Sequence, residues 1–565
     1  MRAAFSSFPI GAAGLLLLFN SPAALGQTGQ TCELVNYPAQ SGYDFTETIS
    51  RWGGKDSYQL DSPSSQVGEI IITNLPVFDE NNSREDNDLF RWANRIHINT
   101  RPAVIRNQLL FKPGDLISSQ ELAENERILR RQKFASDSEI RVLQKCGEKV
   151  DLEIVTREIW TLIPGFSYHS SGGDNELSVG LRESNLLGTG QRVSVFYKSD
   201  ADRDSYQLAF ENPNLGNSHR VIKLQTDRNS DGNHYLAEYS LPFYALDSRS
   251  AWYLGFESTE EILTQYRFGR KITELTHLSD TAEFSRGFSA GIRDGAVNRL
   301  SYGLRYEKQS YAPGRDLPSP ADLSGDLSMA YPFLQIEHIE DNFAVGYNIS
   351  QIYRAEDLHL GRRLLSSVGY APGDADRLIV QGEYSDTLFS RPKMLLQWNA
   401  DWYGRWNQQQ KRWEDSVMKV NLDFHRGQTQ YRTLYLGFNA TRAVNLENGK
   451  QVTLDGSNGL RGFDNHYLNG DGSVRFTAEQ RIFTNYHPLQ LFRLGFAAFA
   501  DIGRIFGGVE DGAGRTFSDV GVGLRLAPSK SDSGKVIHID LAYPLQADIP
   551  GGRSVQLVME AKVTF

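Results

Sequence analysis

The residue types best suited to chemistry sit in one stretch near the C-terminus, "GLRGFDNHYLNGDG", Gly459–Gly472. Arg461, Gly462 and Phe463 are flanked by Asp, Asn and Gly, the composition of a loop tip. The segments that follow read as strands, in which side chains alternate between two faces. In the first, Arg475, Thr477, Glu479 and Arg481 share a face, opposite Val474, Phe476, Ala478 and Ile482. In the next, Arg493, Gly495 and Asp501 share a face, opposite Leu494, Phe496 and Ala498. Glu479 and Asp501 therefore project to the same side from neighbouring strands. The planar fork of a guanidinium can bond two carboxylates at once. A loop folded inward would bring Arg461 between them, with Gly462 allowing a tight turn and Phe463 packing on the inner wall. A solvated outer loop is the alternative.

This chemistry is ion pairing, and bond-making signatures are missing. There is no H-E-x-x-H, no G-x-S-x-G with a plausible acid and histidine, and no phosphate loop. The eleven histidines are scattered and no metal-ligand cluster stands out. Asp401, Asp423 and Glu560 read as members of a solvated face. The expectation is a protein that is not an enzyme and holds neither cofactor nor metal. The net charge of −10 argues against a nucleic-acid partner.

The elements that must position Arg461 come from about residue 159 to 565. Helical period is almost absent there, and segments of about ten residues alternate apolar and polar between Gly/Asn/Asp/Ser turns. "KMLLQWNADWY" sets Met394, Leu396, Trp398, Ala400 and Trp402 against Lys393, Gln397, Asn399 and Asp401. "VMKVNLDFH" sets Met418, Val420, Leu422 and Phe424 against Lys419, Asn421, Asp423 and His425. The last segment ends on Phe565, with Val555, Leu557, Met559, Ala561 and Val563 on its face. A soluble sandwich also alternates, but its strands average about five or six residues. Longer segments, ring-rich apolar faces and repeatedly charged opposite faces predict a transmembrane antiparallel β-barrel, apolar towards lipid and polar within.

Ahead of it, residues 68–158 mix helix and strand. "GEIIIT" reads as a strand. Leu89, Trp92, Ala93 and Ile96 recur at helical spacing, predicting a helix from about Arg84. Ser118 and Glu121 have capping-box spacing before "ELAENERILRRQ". "SEIRVLQ" and "KVDLEIVTRE" are strands. Residues 27–67 read as a polar N-terminal extension. Residues 1–26 read as a secretory signal peptide, with Arg2, an apolar run from Ile10 to Phe19 and small residues before Gln27. That run is about 10 residues, against about 20 for a spanning helix. Cys32 and Cys146 are the two cysteines; they can pair in an oxidising compartment or stand as free thiols.

"RPAVIRNQLLFKPGDLISSQELAENERILRRQKFASDSEIRVL" with "VDLEIVTRE" resembles a POTRA domain, a periplasmic β-α-α-β-β module. "GLRESNLLGTGQRVSVFY", "FENPNLG", "SLPFYALDSR", "GLRGF", "FAAFADIGRIFG", "DVGVGLRL" and "IHIDLAYPL" resemble the barrel of the BamA/TamA superfamily of outer-membrane assembly and translocation proteins. Arg-Gly-Phe recurs at Arg286–Phe288, but five strand-like segments follow Arg461, as they follow the arginine loop of the superfamily. The resemblance spans Gly68 to Phe565. It implies about sixteen strands and an inward loop near 455–472 pairing Arg461 with Glu479 and Asp501. The fifteen or so strand candidates before the loop leave a larger barrel open.

The resemblance further implies a monomeric barrel in the Gram-negative outer membrane, with the POTRA-like domain in the periplasm. Its partners would be the lipid bilayer, polypeptide clients, and the barrel assembly machinery that inserts it through a signal ending in Phe565. Its function would be to insert or translocate polypeptides, with the POTRA sheet edge able to pair with an extended client. The alternatives are a two-partner secretion exporter and a passive outer-membrane channel.

Overall fold

The computed structural model describes residues 32–34, 60 and 65–563, except 172–173, 201, 321–322, 324, 374, 392, 508–513, 532–534 and 547–553. The signal peptide, most of residues 27–67 and Phe565 lie outside the described residues. No helix among those described is long and apolar enough to cross a membrane.

The N-terminal unit is a small α+β domain. Its elements are β1 (Cys32–Leu34), β2 (Ser65–Leu75), α1 (Asp88–Ile96), α2 (Pro102–Arg106), β3 (Leu116–Ile117), α3 (Ser119–Arg130), β4 (Ala135–Cys146) and β5 (Lys149–Glu158). The first helix begins at Asp88 rather than Arg84, because Asn87 caps it by accepting the Phe90 amide at 3.0 Å. Ser118 and Glu121 form the capping box of α3. The sheet order is β1-β4-β5-β2-β3. Its core joins Ile105, Leu122 and Leu129 of the helices to Val142, Leu152 and Ile154 of the sheet.

Part of the extension belongs to this domain. β2 starts at Ser65, and β1 pairs with the end of β4 so that Cys32 faces Cys146. The two cysteines form a disulfide with a Cα–Cα distance of 4.2 Å.

From Leu162 the chain makes one antiparallel meander. Fifteen strands precede the Arg461 loop and five follow it, twenty among the described residues, and the order returns the last strand beside the first. The count exceeds the roughly sixteen strands that the resemblance implied and follows the fifteen or so strand candidates before the loop. Closure suits a ring of alternating strands because it leaves no unpaired edge.

The wall has inverted polarity. In Ala296–Pro313, Leu300, Tyr302 and Leu304 are 50%, 50% and 62% exposed, while Arg299 and Glu307 are buried. In Phe492–Phe506 the alternation is strict: Phe496, Ala498, Ile502 and Phe506 face out, and Ala497, Phe499, Asp501 and Ile505 face in. Water would select the opposite arrangement.

Two long connections enter the interior from opposite ends. Residues 445–471, between Arg432–Val444 and Gly472–Phe483, carry Arg461 and a short hairpin of Val452–Leu454 with Leu468–Gly470. Residues 341–362, between Leu327–Glu340 and Arg363–Ala371, carry a hairpin of Phe343–Gly346 with Glu356–His359. The second enters from the end at which the α+β domain is docked. There Glu124 accepts the Leu246 amide at 2.6 Å, Arg101 N–H donates to Gly188 at 3.0 Å, and Lys530 pairs with Glu85 at 2.8 Å.

Candidate functional site

Four consecutive strands build the cup that receives Arg461. Gly472–Phe483 supplies Glu479, Phe492–Phe506 supplies Phe499 and Asp501, Thr516–Pro528 supplies Arg525, and Lys535–Pro544 supplies Asp540. All face inward by strand parity. Glu479 lies opposite Phe499, and Asp501 opposite Thr477 and Asp519. In the middle of the cup, "DVGVGLRL" puts Val520 and Val522 outside and Gly521 and Gly523 inside. A Cβ at Gly521 would enter the Phe499 ring, and one at Gly523 would meet the Asp540 carboxylate. The two glycines leave room for the ring and the ion pairs.

Arg461 is 6% exposed and uses every face of its guanidinium. Its Nε and Nη2 donate to the two Asp501 oxygens at 2.8 and 3.2 Å. Nη1 donates to Glu479 and to Asp540, both at 3.0 Å. The guanidinium carbon sits 3.3 Å from the Phe499 ring centre, a cation–π contact. Arg525 pairs with Asp540 and, at 3.2 Å, with Glu479. Arg481 donates to the other Glu479 oxygen at 2.9 Å. The carboxylates thus face three guanidinium groups in a buried site, the arrangement in which charge pairing offsets desolvation.

The loop is built to aim that side chain. Buried Asp455 accepts the amides of Ser457, Asn458 and His466 at 2.9, 3.1 and 2.9 Å. Phe463, 2% exposed, packs with Leu460, Leu454, Tyr467, Ile505 and Phe517. Gly462 serves by closeness and not by a left-handed turn, which falls instead at Gly459 with φ 112°. A Cβ on Gly462 would lie 2.7 Å from Asp519 Cβ and 3.0 Å from the Pro544 nitrogen.

The structure therefore brings together Arg461, Gly462, Phe463, Glu479 and Asp501. Sequence reading missed Asp540, Arg525, Phe499 and Asp455. Asp540 and Arg525 had a usable signal, being charged residues on the inner parity of the next two strands. Cys32 and Cys146 lie in the α+β domain, away from this site. Among the described residues no group of His, Cys, Asp and Glu is placed to hold a metal.

Arg481 also links the site to the second interior connection, donating from Nη1 to the Ile349 carbonyl at 2.6 Å and stacking on Tyr435 at 4.6 Å. Two connections from opposite ends of the barrel thus meet on the Glu479–Arg481 pair.

Fold and site define a β-barrel of inverted polarity whose interior is entered by a long connection from each end and which carries a docked α+β domain. No protein-family profile and no curated protein matches the chain. Among solved structures it is similar to CdiB from Escherichia coli, at 11% identity, over 95% of this chain and 92% of that one, with a TM-score of 0.46. It is similar to CdiB from Acinetobacter baumannii at 12%, over 91% and 94%, with a TM-score of 0.38. It is also similar to BamA from Haemophilus ducreyi lacking POTRA domains 1–3, at 13%, over 88% and 84%, with a TM-score of 0.36.

Proposed function

We propose that this protein is a closed transmembrane barrel of the bacterial outer membrane that inserts or translocates polypeptides, without catalytic chemistry of its own. The α+β domain is read as a single periplasmic POTRA-like module, and the chain as a monomeric barrel inserted by the barrel assembly machinery. The observation that carries the reading is the Arg461 site. A passive channel needs no such lock, whereas here an ion-paired loop enters the interior and is anchored on four strands near the seam. Exposed Leu300, Tyr302 and Leu304 over buried Arg299 and Glu307 support the lipid setting. The described elements β2, α2, α3, β4 and β5 support the POTRA reading, with α1 as an insert.

One observation favours the exporter reading in particular. Twenty strands enclose a wider bore than sixteen, and barrel diameter grows with strand number. Depletion of the protein, followed by comparison of the outer-membrane and secreted proteomes, tests both. Loss of barrel proteins from the membrane supports insertion, and loss of one secreted polypeptide supports export. Two unchanged proteomes would remove the polypeptide reading.

A further inference from the structure

The second interior connection, residues 341–362, has no part in the reading above, and its placement is unusual for a turn. Counted from Leu162–Ser171, it leaves the tenth strand and returns to the eleventh. Its tip, however, lies on the inward faces of the fifteenth to nineteenth. Thr433 Oγ1 donates to the Asn348 carbonyl at 3.1 Å, and Arg481 to the Ile349 carbonyl at 2.6 Å. Ile352, 4% exposed, packs with Phe483, Ala527 and Val536. Arg493 stacks on Tyr353 at 5.3 Å. The segment therefore crosses the mouth at which the α+β domain is docked.

Its base is fastened to that domain. Arg130 of α3 donates from Nη2 to Asp357 at 2.7 Å and from Nε at 3.1 Å. Gln120 bonds Asp341, and Arg127 stacks on Phe343 at 4.1 Å. Behind these contacts is a cavity of about 480 Å³ lined by Arg127, Arg130, Arg299, Phe343, Glu356 and Asp357. The link between the base and the α+β domain is thus a few polar contacts and one cation–π contact beside open volume, while Phe343 also packs on Leu246, Val297 and Ile339 of the barrel. Such an attachment can open locally without unfolding the barrel.

We propose that residues 341–362 form a gating strap across the domain-side mouth of the barrel, latched shut by Arg130 of the α+β domain on Asp357. In the closed state the tip lies on Thr433, Arg481 and Ile352's apolar partners. Movement of α3 removes the latch, the tip leaves the wall, and the bore opens to the α+β domain. Since Arg481 shares Glu479 with Arg461, release of the tip also frees one of the guanidinium groups bound to that carboxylate. What the strap admits rests on the polypeptide reading, but the latch itself does not.

The test uses the full-length protein in proteoliposomes. No free cysteine exists among the described residues, so Thr433→Cys, 1% exposed beneath Asn348, provides a specific thiol. Its labelling by a water-soluble maleimide is expected to be slow and to rise about tenfold or more when R130D repels Asp357. The swapped pair R130D/D357R should return the rate towards the original. Replacement of 343–358 by a short Gly/Ser linker gives the fully open reference, and heat-modifiability controls for folding. Equal rates with and without R130D, against a fast linker variant, would overturn the latch. For gating, N348C/T433C is joined by a short thiol crosslinker, in cells depleted of the unaltered protein. Crosslinking should abolish rescue of the proteome; full rescue by the crosslinked protein would overturn the gate. If depletion itself changes no proteome, the polypeptide reading falls while the labelling result still decides the strap.

Discussion

Arg461 has more work than a two-carboxylate bridge requires. It satisfies Asp501 through two bonds, reaches Glu479 and Asp540 through a third nitrogen, and lies on Phe499. A lysine offers a single point charge and no planar face. Arg461→Ala should therefore still assemble but lose activity, and Arg461→Lys should rescue poorly. The cost of the alanine variant is expected at about 3 kcal/mol, the scale for breaking a buried pair, and less where water enters. Thermal loss of the heat-modifiable form measures it, and a fully active Arg461→Ala protein would refute the assignment. Gly462→Ala makes a separate test, because its Cβ would crowd Asp519 Cβ and the backbone at Pro544, neither of which is the far end of a flexible side chain. It should free the loop as Arg461→Ala does, although every charge is kept. Retention of unaltered protease resistance in the 445–471 loop would count against that account.

At the scale of elements, the strap and the disulfide each make a measurable claim. Glu356 holds the strap tip by accepting the amides of Ile349 and Ser350 at 2.9 and 3.0 Å. Burial pushes its carboxyl from 4.5 up to about 7, with those amides and nearby Arg481 acting in the opposite direction. The group's pKa is raised in the folded strap. Its stabilising contribution is therefore complete below pH 4.5 and is lost as the pH rises through 7. The charged groups and the histidine that line the cavity with it are Glu124, Arg127, Arg130, Arg131, Lys133, Arg299, Arg354, Asp357, His359 and Arg363. Labelling of Thr433→Cys, normalised to the linker variant, should accelerate between pH 5.5 and 8, and E356Q should flatten that dependence. The disulfide closes a chain separation of 114 residues. Removing it by C32S/C146S should destabilise the α+β domain by about 5 kcal/mol at most on chain-entropy grounds. Proteolysis of β1–β5 should report the loss while the heat-modifiable barrel stays intact.

For the molecule as a whole, the two interior connections and the docked domain make one continuous series of contacts. It runs from α3 through Arg130 and Asp357 to the strap, through Ile349 and Arg481 to Glu479, and from Glu479 to Arg461. A barrel threaded in this way can report a change at one mouth to the other, provided that both connections have a second position. Assembly is a separate matter. Val555–Phe565 reads as a terminal strand ending on an aromatic, and deletion of Phe565 is expected to lower the folded fraction in the membrane. Normal accumulation of heat-modifiable barrel would sink that expectation.

The sequence by itself determined which residues face in. Parity in a strand is local, so Glu479 and Asp501 could be put on one face without knowing their neighbours, and the capping box of α3 could be read from Ser118 and Glu121 alone. It also determined the inverted polarity, since charge and rings alternate within single segments such as "KMLLQWNADWY". The strand candidates could be counted, but not which of them join the wall, because a segment such as Arg192–Ser199 serves equally as wall or loop until its pairing is known. The full Arg461 cup depended on register. Asp540 and Arg525 reach it only because two further strands slide into line beside Phe492–Phe506. Gly462 shows the same limit: its lack of a side chain answers to Asp519 and Pro544, far along the chain. Only the tertiary structure decided that residues 341–362 cross the bore. That path is set by partners on five distant strands and on α3, and no local pattern encodes contacts at such separation.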